Sequence, residues 1–394
     1  MISIRQLFRY IALFTLLMVT VSSLFAEEVR KDVVIGEERT ISSKVLNEDR
    51  TIMISKPYTY DTGNERYPVL IVLSSNMFPH ASAVTRFMAS EQLYPDMLVV
   101  GVSMAPRTRT RDLTPIATYP KTKAQVPTGG GAANFRSFLA DELLPWLDQN
   151  YRTRPYKVLV GHSYGGLFAI DTMLTQPTLF NAYVAISPSL WWDNEKLVER
   201  TDTFLKTKPD LNSTLYLSVS SGDNGELRGS VRKLAGVLEA RSPAGLNWHM
   251  EELANETHDS GALIGTQQGL EFLFADWALP NGTGLYDLGG IEAVEHFYAR
   301  KDQKYGYGPR DVSINAFQSV AGKLLESGRL DDIAGLLTRY RDTVHPPARN
   351  LVQLADAYRG QGRNDRAIDF YQQALKADPR HEAAKKALTE LGAK

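Results

Sequence analysis

The sequence predicts an α/β protein, an open and mainly parallel central sheet covered by helices, followed by a small all-α domain. Apolar runs at Pro68–Leu73, Met97–Val102, Val158–Val160, Tyr183–Ile186 and Leu215–Val219 recur with helical patterns between them. They lack the polar alternation of half-exposed strands, as strands buried on both faces do. After residue 279 the strand signals stop and helical periodicity continues to Lys394. The 394 residues leave room for two or three domains of roughly 150 residues each.

The first segment reads as an address. Met1–Tyr10 carries Arg5 and Arg9 and no acid, Ile11–Phe25 is almost continuously apolar, and Glu27-Glu28 follows. A basic start, an apolar run of about 15 residues and abrupt polarity make residues 1–26 a secretory signal peptide. The run is short beside the roughly 20 residues of a membrane span. An exported protein is expected, periplasmic or secreted, with no membrane span once the signal is removed. Cleavage after Ala26 and after Ser23 both fit.

Residues 27–279 form the predicted sheet domain. Arg39–Ile41 and Thr51–Ser55 flank the polar Asn47-Glu48-Asp49, as an opening antiparallel hairpin would. Phe135–Gln149 places Phe138, Leu139, Leu143, Leu144 and Leu147 at helical spacing between two buried strands. Trp248–Leu253 reads as the last strand and Gln267–Ala278 as a closing amphipathic helix. Pro280-Asn281-Gly282-Thr283-Gly284 then opens a linker over 280–313 that contains a connecting helix at Ile291–Arg300.

Residues 314–394 read as helical repeats. Ala355, Tyr358, Gly362, Ala367, Tyr371, Ala374, Leu375 and Pro379 resemble a tetratricopeptide repeat, a 34-residue helix-turn-helix unit. Shifting back by 34 pairs Ala355 with Ala321, Gly362 with Gly328, Arg363 with Arg329 and Asp365 with Asp331, which marks a degenerate earlier copy at Ile314–His345. So short an array must stack on itself, dock on the sheet domain or pair with a second chain. Through it a homodimer or a peptide partner is open.

Composition narrows the chemistry. Lys plus Arg number 44 against 45 Asp plus Glu, a net charge of −1, which supplies no broad basic field for nucleic acid. Cysteine is absent, which excludes disulfides, thiolate nucleophiles and Cys-based zinc sites. No His/Asp/Glu cluster has persuasive metal-ligand spacing, and no cofactor is expected. Gly129-Gly130-Gly131 lacks phosphate-loop spacing and reads as a lead into the Phe135 helix.

Gly161-His162-Ser163-Tyr164-Gly165-Gly166 sits between the strand Lys157–Val160 and the helical Leu167–Leu174. This is G-x-S-x-G where its chemistry needs it, on a tight strand-to-helix turn that lifts the Ser163 hydroxyl above the sheet. The Tyr164 N–H can then face a developing oxyanion. Serine needs a base, and the order expected here is Ser, then acid, then His. His258, in the polar loop Asn255–Ser260 between the last strand and the last helix, is the candidate. The acid is sought after Leu215–Ser220, where Asp223 is favoured over Glu226. Arg107, Arg109 and Arg111 alternate along the loop after Met97–Val102, and Arg109 and Arg111 are candidates for an anionic substrate group, with a structural Arg111–Asp112 pairing as the alternative. Trp191 and Trp192 are candidate pocket walls.

The chain resembles the putative esterase family that includes esterase D and the enterochelin-type siderophore esterases, in particular bacterial members with tetratricopeptide-like helices appended. Besides the serine turn, the resemblance rests on Tyr67-Pro68-Val69-Leu70, on Arg109 through Pro115, on Gly129-Gly130-Gly131, on Phe138 through Trp146 and on Ser187 through Trp192. It implies an α/β-hydrolase fold with a serine triad and no metal, and it carries Ser163 and His258 over by position. The acid does not carry over, because the family varies there. The chain departs from the family after the third strand, where Leu73-Ser74-Ser75-Asn76-Met77-Phe78 replaces a frequent Asp-Gly pair. A second oxyanion N–H from this loop falls to Asn76, Met77 or Phe78, with Met77 favoured.

The expected function is a serine hydrolase cleaving a carboxylic ester of a small molecule. An acyltransferase on the same triad and a non-catalytic protein working through its helical tail are the alternatives.

Overall fold

The computed structural model describes residues 32–278 and 314–393, apart from positions 62, 92, 105, 208, 209, 242, 342 and 343, together with scattered residues from 289 to 306. The expected signal segment at 1–26 and most of the 280–313 linker, including much of Ile291–Arg300, lie outside the described residues. Among those described, no helix is long and apolar enough to cross a membrane.

The strands are β1 (Glu37–Ser43), β2 (Glu48–Ser55), β3 (Tyr67–Val72), β4 (Leu98–Val102), β5 (Thr153–His162), β6 (Ala182–Ile186), β7 (Asp210–Ser220) and β8 (Ala244–Leu253). They form one 8-stranded sheet in the order β1-β2-β4-β3-β5-β6-β7-β8. The expected hairpin is there, antiparallel β1 and β2 turning through Asn47 at φ 52°. β2 lies antiparallel to β4, and every later pairing is parallel. The strand order reverses at β3, so the connections leaving β3 and β5 run to opposite sides and open a crevice at the sheet's carboxyl edge.

Successive residues of the central strands feed two cores. Val69, Ile71, Leu159 and Leu217 pack with Phe135, Phe138 and Phe168 on one face. Leu70, Val72, Val158, Val160, Val184 and Ile186 pack with Phe78, Leu270 and Phe274 on the other. Both faces are covered, which is why these strands read as unbroken apolar runs.

Two helices differ from expectation. The segment predicted as one helix over Phe135–Gln149 is α-helical at Ala132–Ser137, π-helical at Phe138–Leu143 and α-helical again at Leu144–Asn150. Pro145 explains the wide turn, since its ring cannot donate a hydrogen bond and crowds the preceding turn. The closing helix runs over Gly261–Leu273 rather than Gln267–Ala278. Its first turns face the sheet with Gly261, Ala262, Gly265 and Gly269, which hold no apolar bulk for a periodicity argument to detect.

The tail forms helices at Ile314–Glu326, Leu330–Arg339, Ala348–Gly360, Asn364–Ala377 and Glu382–Glu390. Gly328 and Gly362 take φ of 70° and 72°, so the two copies turn alike at the position the 34-residue shift aligned. Asp331 of the earlier copy accepts from Tyr358 Oη at 3.0 Å and pairs with Arg363 at 2.7 Å in the later one. The repeats stack on each other in a shared core that includes Leu324, Leu330, Leu351, Tyr358, Phe370 and Leu388. Phe297 of the connecting segment joins that core. Tyr305 packs instead with Tyr156, Phe274 and Trp277 in the sheet domain.

Candidate active site

β5 ends at His162, and the chain turns so sharply that Ser163 adopts φ 60°, ψ −116° before the helix Tyr164–Thr175. A left-handed φ on a residue with a side chain is strained. The turn closes because residue 161 is glycine, since a Cβ there would lie 2.1 Å from the Gly165 carbonyl oxygen. Gly165 itself has room, its nearest neighbour to a Cβ being Leu73 at 3.6 Å, so the steric demand falls on Gly161 and not equally on both. Gly166 lets Pro188 approach, as a Cβ there would meet Pro188 at 2.9 Å.

Ser163 opens into a cavity of about 750 Å³ lined by Leu73, Ser74, Asn76, Met77, Arg109, His162, Ser163, His258, Asp259, Ser260, Ala262 and Leu263. The loop after β3 and the loop after β5 supply facing walls, as the reversal of strand order requires. The loop after β8 supplies His258.

A long-range link joins His258 to Asp223. The His258 Nδ1–H donates to Asp223 Oδ1 at 2.6 Å, the donor being assigned because a carboxylate only accepts. Asp223 follows β7 and is buried, and its Oδ2 also accepts from Ser187 Oγ at 2.6 Å and from the Ser220 N–H at 2.8 Å. Glu226 lies exposed in the first turn of the helix Gly225–Arg241, whose Leu227 N–H is capped by Asn224 at 2.9 Å. The buried partner of the histidine is thus Asp223.

Ser163 Oγ lies 3.3 Å from Ser189 Oγ, which is its side-chain hydrogen bond in this structure. His258 shares the cavity wall with Ser163 and packs ring to ring against His162, centroids 4.4 Å apart. Burial, reinforced by His258 and Arg109, pushes the His162 imidazole down to about 4, so it stays neutral at ordinary pH.

Arg107, Arg109 and Arg111 lie on a helix, Pro106–Leu113, and not on a loop. Arg109 faces the cavity, donates to the His162 carbonyl at 3.3 Å and sits 5.5 Å from the Tyr164 ring centre. Burial lowers its pKa, and no salt bridge to it forms among the described residues. Arg111 is committed elsewhere, bonding Glu48 at 2.6 Å and Asp112 at 2.7 Å, where it holds the helix to β2. Trp191 and Trp192 pack about Tyr164 at 6.0 and 5.8 Å, and Trp192 is buried with its indole N–H on the Pro115 carbonyl at 3.1 Å. Neither tryptophan lines the cavity.

The Met77 N–H turns back to the Ser74 carbonyl at 3.3 Å and the Phe78 N–H to Ser75 at 3.3 Å. The Asn76 N–H makes no such bond among the described residues, which favours it over Met77 as the donor toward the cavity. Tyr164 begins its helix, where a backbone N–H has no acceptor within the helix.

Sequence reasoning missed Ser187 and Ser189. The motif Ser187-Pro188-Ser189 was visible, and the signal was its place at the carboxyl end of β6, beside the serine turn.

The family described as Putative esterase matches residues 43–259, and a tetratricopeptide repeat matches residues 348–381. Ferri-bacillibactin esterase BesA of Bacillus subtilis is 28% identical over 258 residues, covering 60% of this chain and 88% of its own length. The siderophore triacetylfusarinine C esterase of Aspergillus fumigatus is 26% identical over 266 residues, covering 57% of this chain and 89% of its own length. The solved structure of an IroE-like serine hydrolase from Shewanella oneidensis superposes with a TM-score of 0.62 at 24% identity, covering 86% of this chain and 99% of the other.

Proposed function

Because the chain belongs to the putative esterase family and is a carboxylic-ester hydrolase, we propose that it works as an exported serine esterase with Ser163 as nucleophile, His258 as base and Asp223 as the orienting acid. The observation that carries the assignment is the 2.6 Å bond to buried Asp223 from the Nδ1–H of His258, which lines the same cavity as Ser163.

The reaction follows from these positions. The Ser163 hydroxyl leaves Ser189 for the imidazole, and as Oγ attacks the ester carbonyl its proton passes to His258 Nε2. Asp223 holds the tautomer that leaves Nε2 free to accept and stabilises the imidazolium that forms. The oxyanion is met by the Tyr164 N–H at a helix N-terminus and by a second N–H from the Ser74–Met77 loop. Collapse breaks the ester C–O bond, and the leaving alkoxide takes the proton from Nε2. Water then gives a proton to Nε2 as it attacks the acyl-enzyme, and collapse breaks the acyl C–Oγ bond, Ser163 Oγ taking the proton back from Nε2 as the carboxylic acid leaves.

The ferri-bacillibactin and triacetylfusarinine C esterases among the relatives support a siderophore ester as the substrate class. Arg109 adds a cation to the cavity wall that suits an anionic substrate group. The N-terminal pattern supports export, which fractionation of expressing cells tests.

The function is tested with a fluorophosphonate and an ester panel that includes cyclic and linear siderophore esters. Labelling and turnover are expected in the wild type and absent in Ser163→Ala. Labelling that survives Ser163→Ala would sink the choice of nucleophile.

A further inference from the structure

The Ser187-Pro188-Ser189 turn touches both ends of the catalytic constellation. Ser187 is fully buried and takes φ 40°, a strained state for a residue with a Cβ. Its N–H donates to the Ser218 carbonyl on β7 at 2.8 Å, and the Ser189 N–H donates to the Ser163 carbonyl at 3.1 Å. Pro188 packs on Gly166 of the nucleophile helix. The tripeptide is therefore stitched to the strand that presents the acid and to the turn that presents the nucleophile. Its two hydroxyls meet different groups, Ser187 Oγ donating to Asp223 Oδ2 at 2.6 Å and Ser189 Oγ lying 3.3 Å from Ser163 Oγ.

Glycine would relieve the backbone at 187 at no steric cost, and what the serine adds there is the hydroxyl that bonds Asp223. A carboxylate held by one oxygen is free to twist about its Cβ–Cγ bond. With the Ser187 hydroxyl and the Ser220 N–H both on Oδ2, the Asp223 plane is fixed and Oδ1 is left for His258.

We propose that Ser187 is a positioning residue for the reaction, its hydroxyl fixing the Asp223 carboxylate that orients the His258 imidazole. The proposal rests on the serine-esterase reading above. Ser189 belongs to the same turn and holds the nucleophile's hydroxyl until the imidazole takes its proton.

Ser187→Gly and Ser187→Ala test it. Gly removes the hydroxyl and also the strain, so a fold retained in this variant separates a catalytic loss from misfolding. In both variants kcat is expected to fall about ten-fold while KM stays within about two-fold, since the hydroxyl acts through the base and not on bound ester. A second readout needs no substrate. The low-field proton resonance of His258 Nδ1–H should be present in wild type and in Ser163→Ala, and should broaden or move upfield in Ser187→Gly. Turnover that does not depend on Ser163 would sink the serine-esterase reading, and the resonance would still report on Ser187. The proposal itself is overturned if both variants keep kcat within about two-fold of wild type, or if kcat falls with the resonance unmoved.

Discussion

Replacing Asp223 by Asn changes one oxygen for an amino group, and the structure dictates which way that group must face. Oδ2 receives two donors, the Ser187 hydroxyl and the Ser220 N–H, so an NH₂ cannot sit there without donor meeting donor. The amide oxygen is forced to that side and the NH₂ is turned toward His258, 2.6 Å away across the present bond. His258 Nδ1 must then accept, and the ring's proton moves to Nε2, the atom that has to take the proton of Ser163. A triad histidine in the wrong tautomer loses about 10⁴-fold in kcat, roughly 5.5 kcal/mol of transition-state stabilisation. Glu226→Gln changes an exposed side chain in a first helical turn and should leave kcat within about two-fold. Initial rates on an activated ester, with fluorophosphonate labelling of Ser163 and circular dichroism as a folding control, measure both variants. The reasoning is refuted if Asp223→Asn stays within about ten-fold of wild type, or if Glu226→Gln shows the larger loss.

Gly161→Ala forces a Cβ to 2.1 Å from the Gly165 carbonyl, so it should destabilise by about 3 kcal/mol or more in a denaturant melt, whereas Gly165→Ala, with 3.6 Å of clearance, should stay within about 1 kcal/mol. Arg109→Ala should raise KM for esters carrying an anionic group while leaving KM for neutral esters nearly unchanged, and equal effects on both would remove Arg109 from substrate recognition. Lys301 is buried over the rings of Trp277 and Phe297 at 4.0 and 4.1 Å. Burial pulls its pKa from 10.5 down to about 7 against the pull of Asp276, so between those values the folded chain binds fewer protons than the unfolded one. Stability from this group therefore rises with pH across that window, and Lys301→Met should gain more in Tm at pH 6 than at pH 10. A larger gain at pH 10 would contradict the assignment.

Much of the fold was legible because burial on both faces writes itself into composition. Val69 to Val72, Leu98 to Val102 and Ala182 to Ile186 are fully buried, and nothing polar interrupts them. The helix that packs by small residues was placed too late along the chain, because Gly261, Gly265 and Gly269 carry no signal of burial. The arginines were read as lying on a loop because Arg107, Thr108, Arg109 and Thr110 have no apolar stripe. Leu113, at the helix end, is the apolar residue buried there among the described side chains.

Local chemistry, by contrast, could be read one residue at a time. The nucleophile turn is specified by neighbours within two positions, since a clash between residues 161 and 165 depends on no distant part of the chain. The expected order of serine, acid and histidine along strands of one sheet likewise made His258 the candidate base and narrowed the candidate acid to a single loop. The bonding of His258 to Asp223 and not to Glu226, the diversion of Arg111 to Glu48, and the contacts of the Ser187 and Ser189 hydroxyls belong to the tertiary structure. The serine and aspartate contacts depend on which groups meet across β5, β6, β7 and the β8 loop, and the Arg111 contact on where the helix Pro106–Leu113 meets β2. A hydrogen bond is set by distance and direction in space, and separations of 26 to 63 residues along the chain do not encode either.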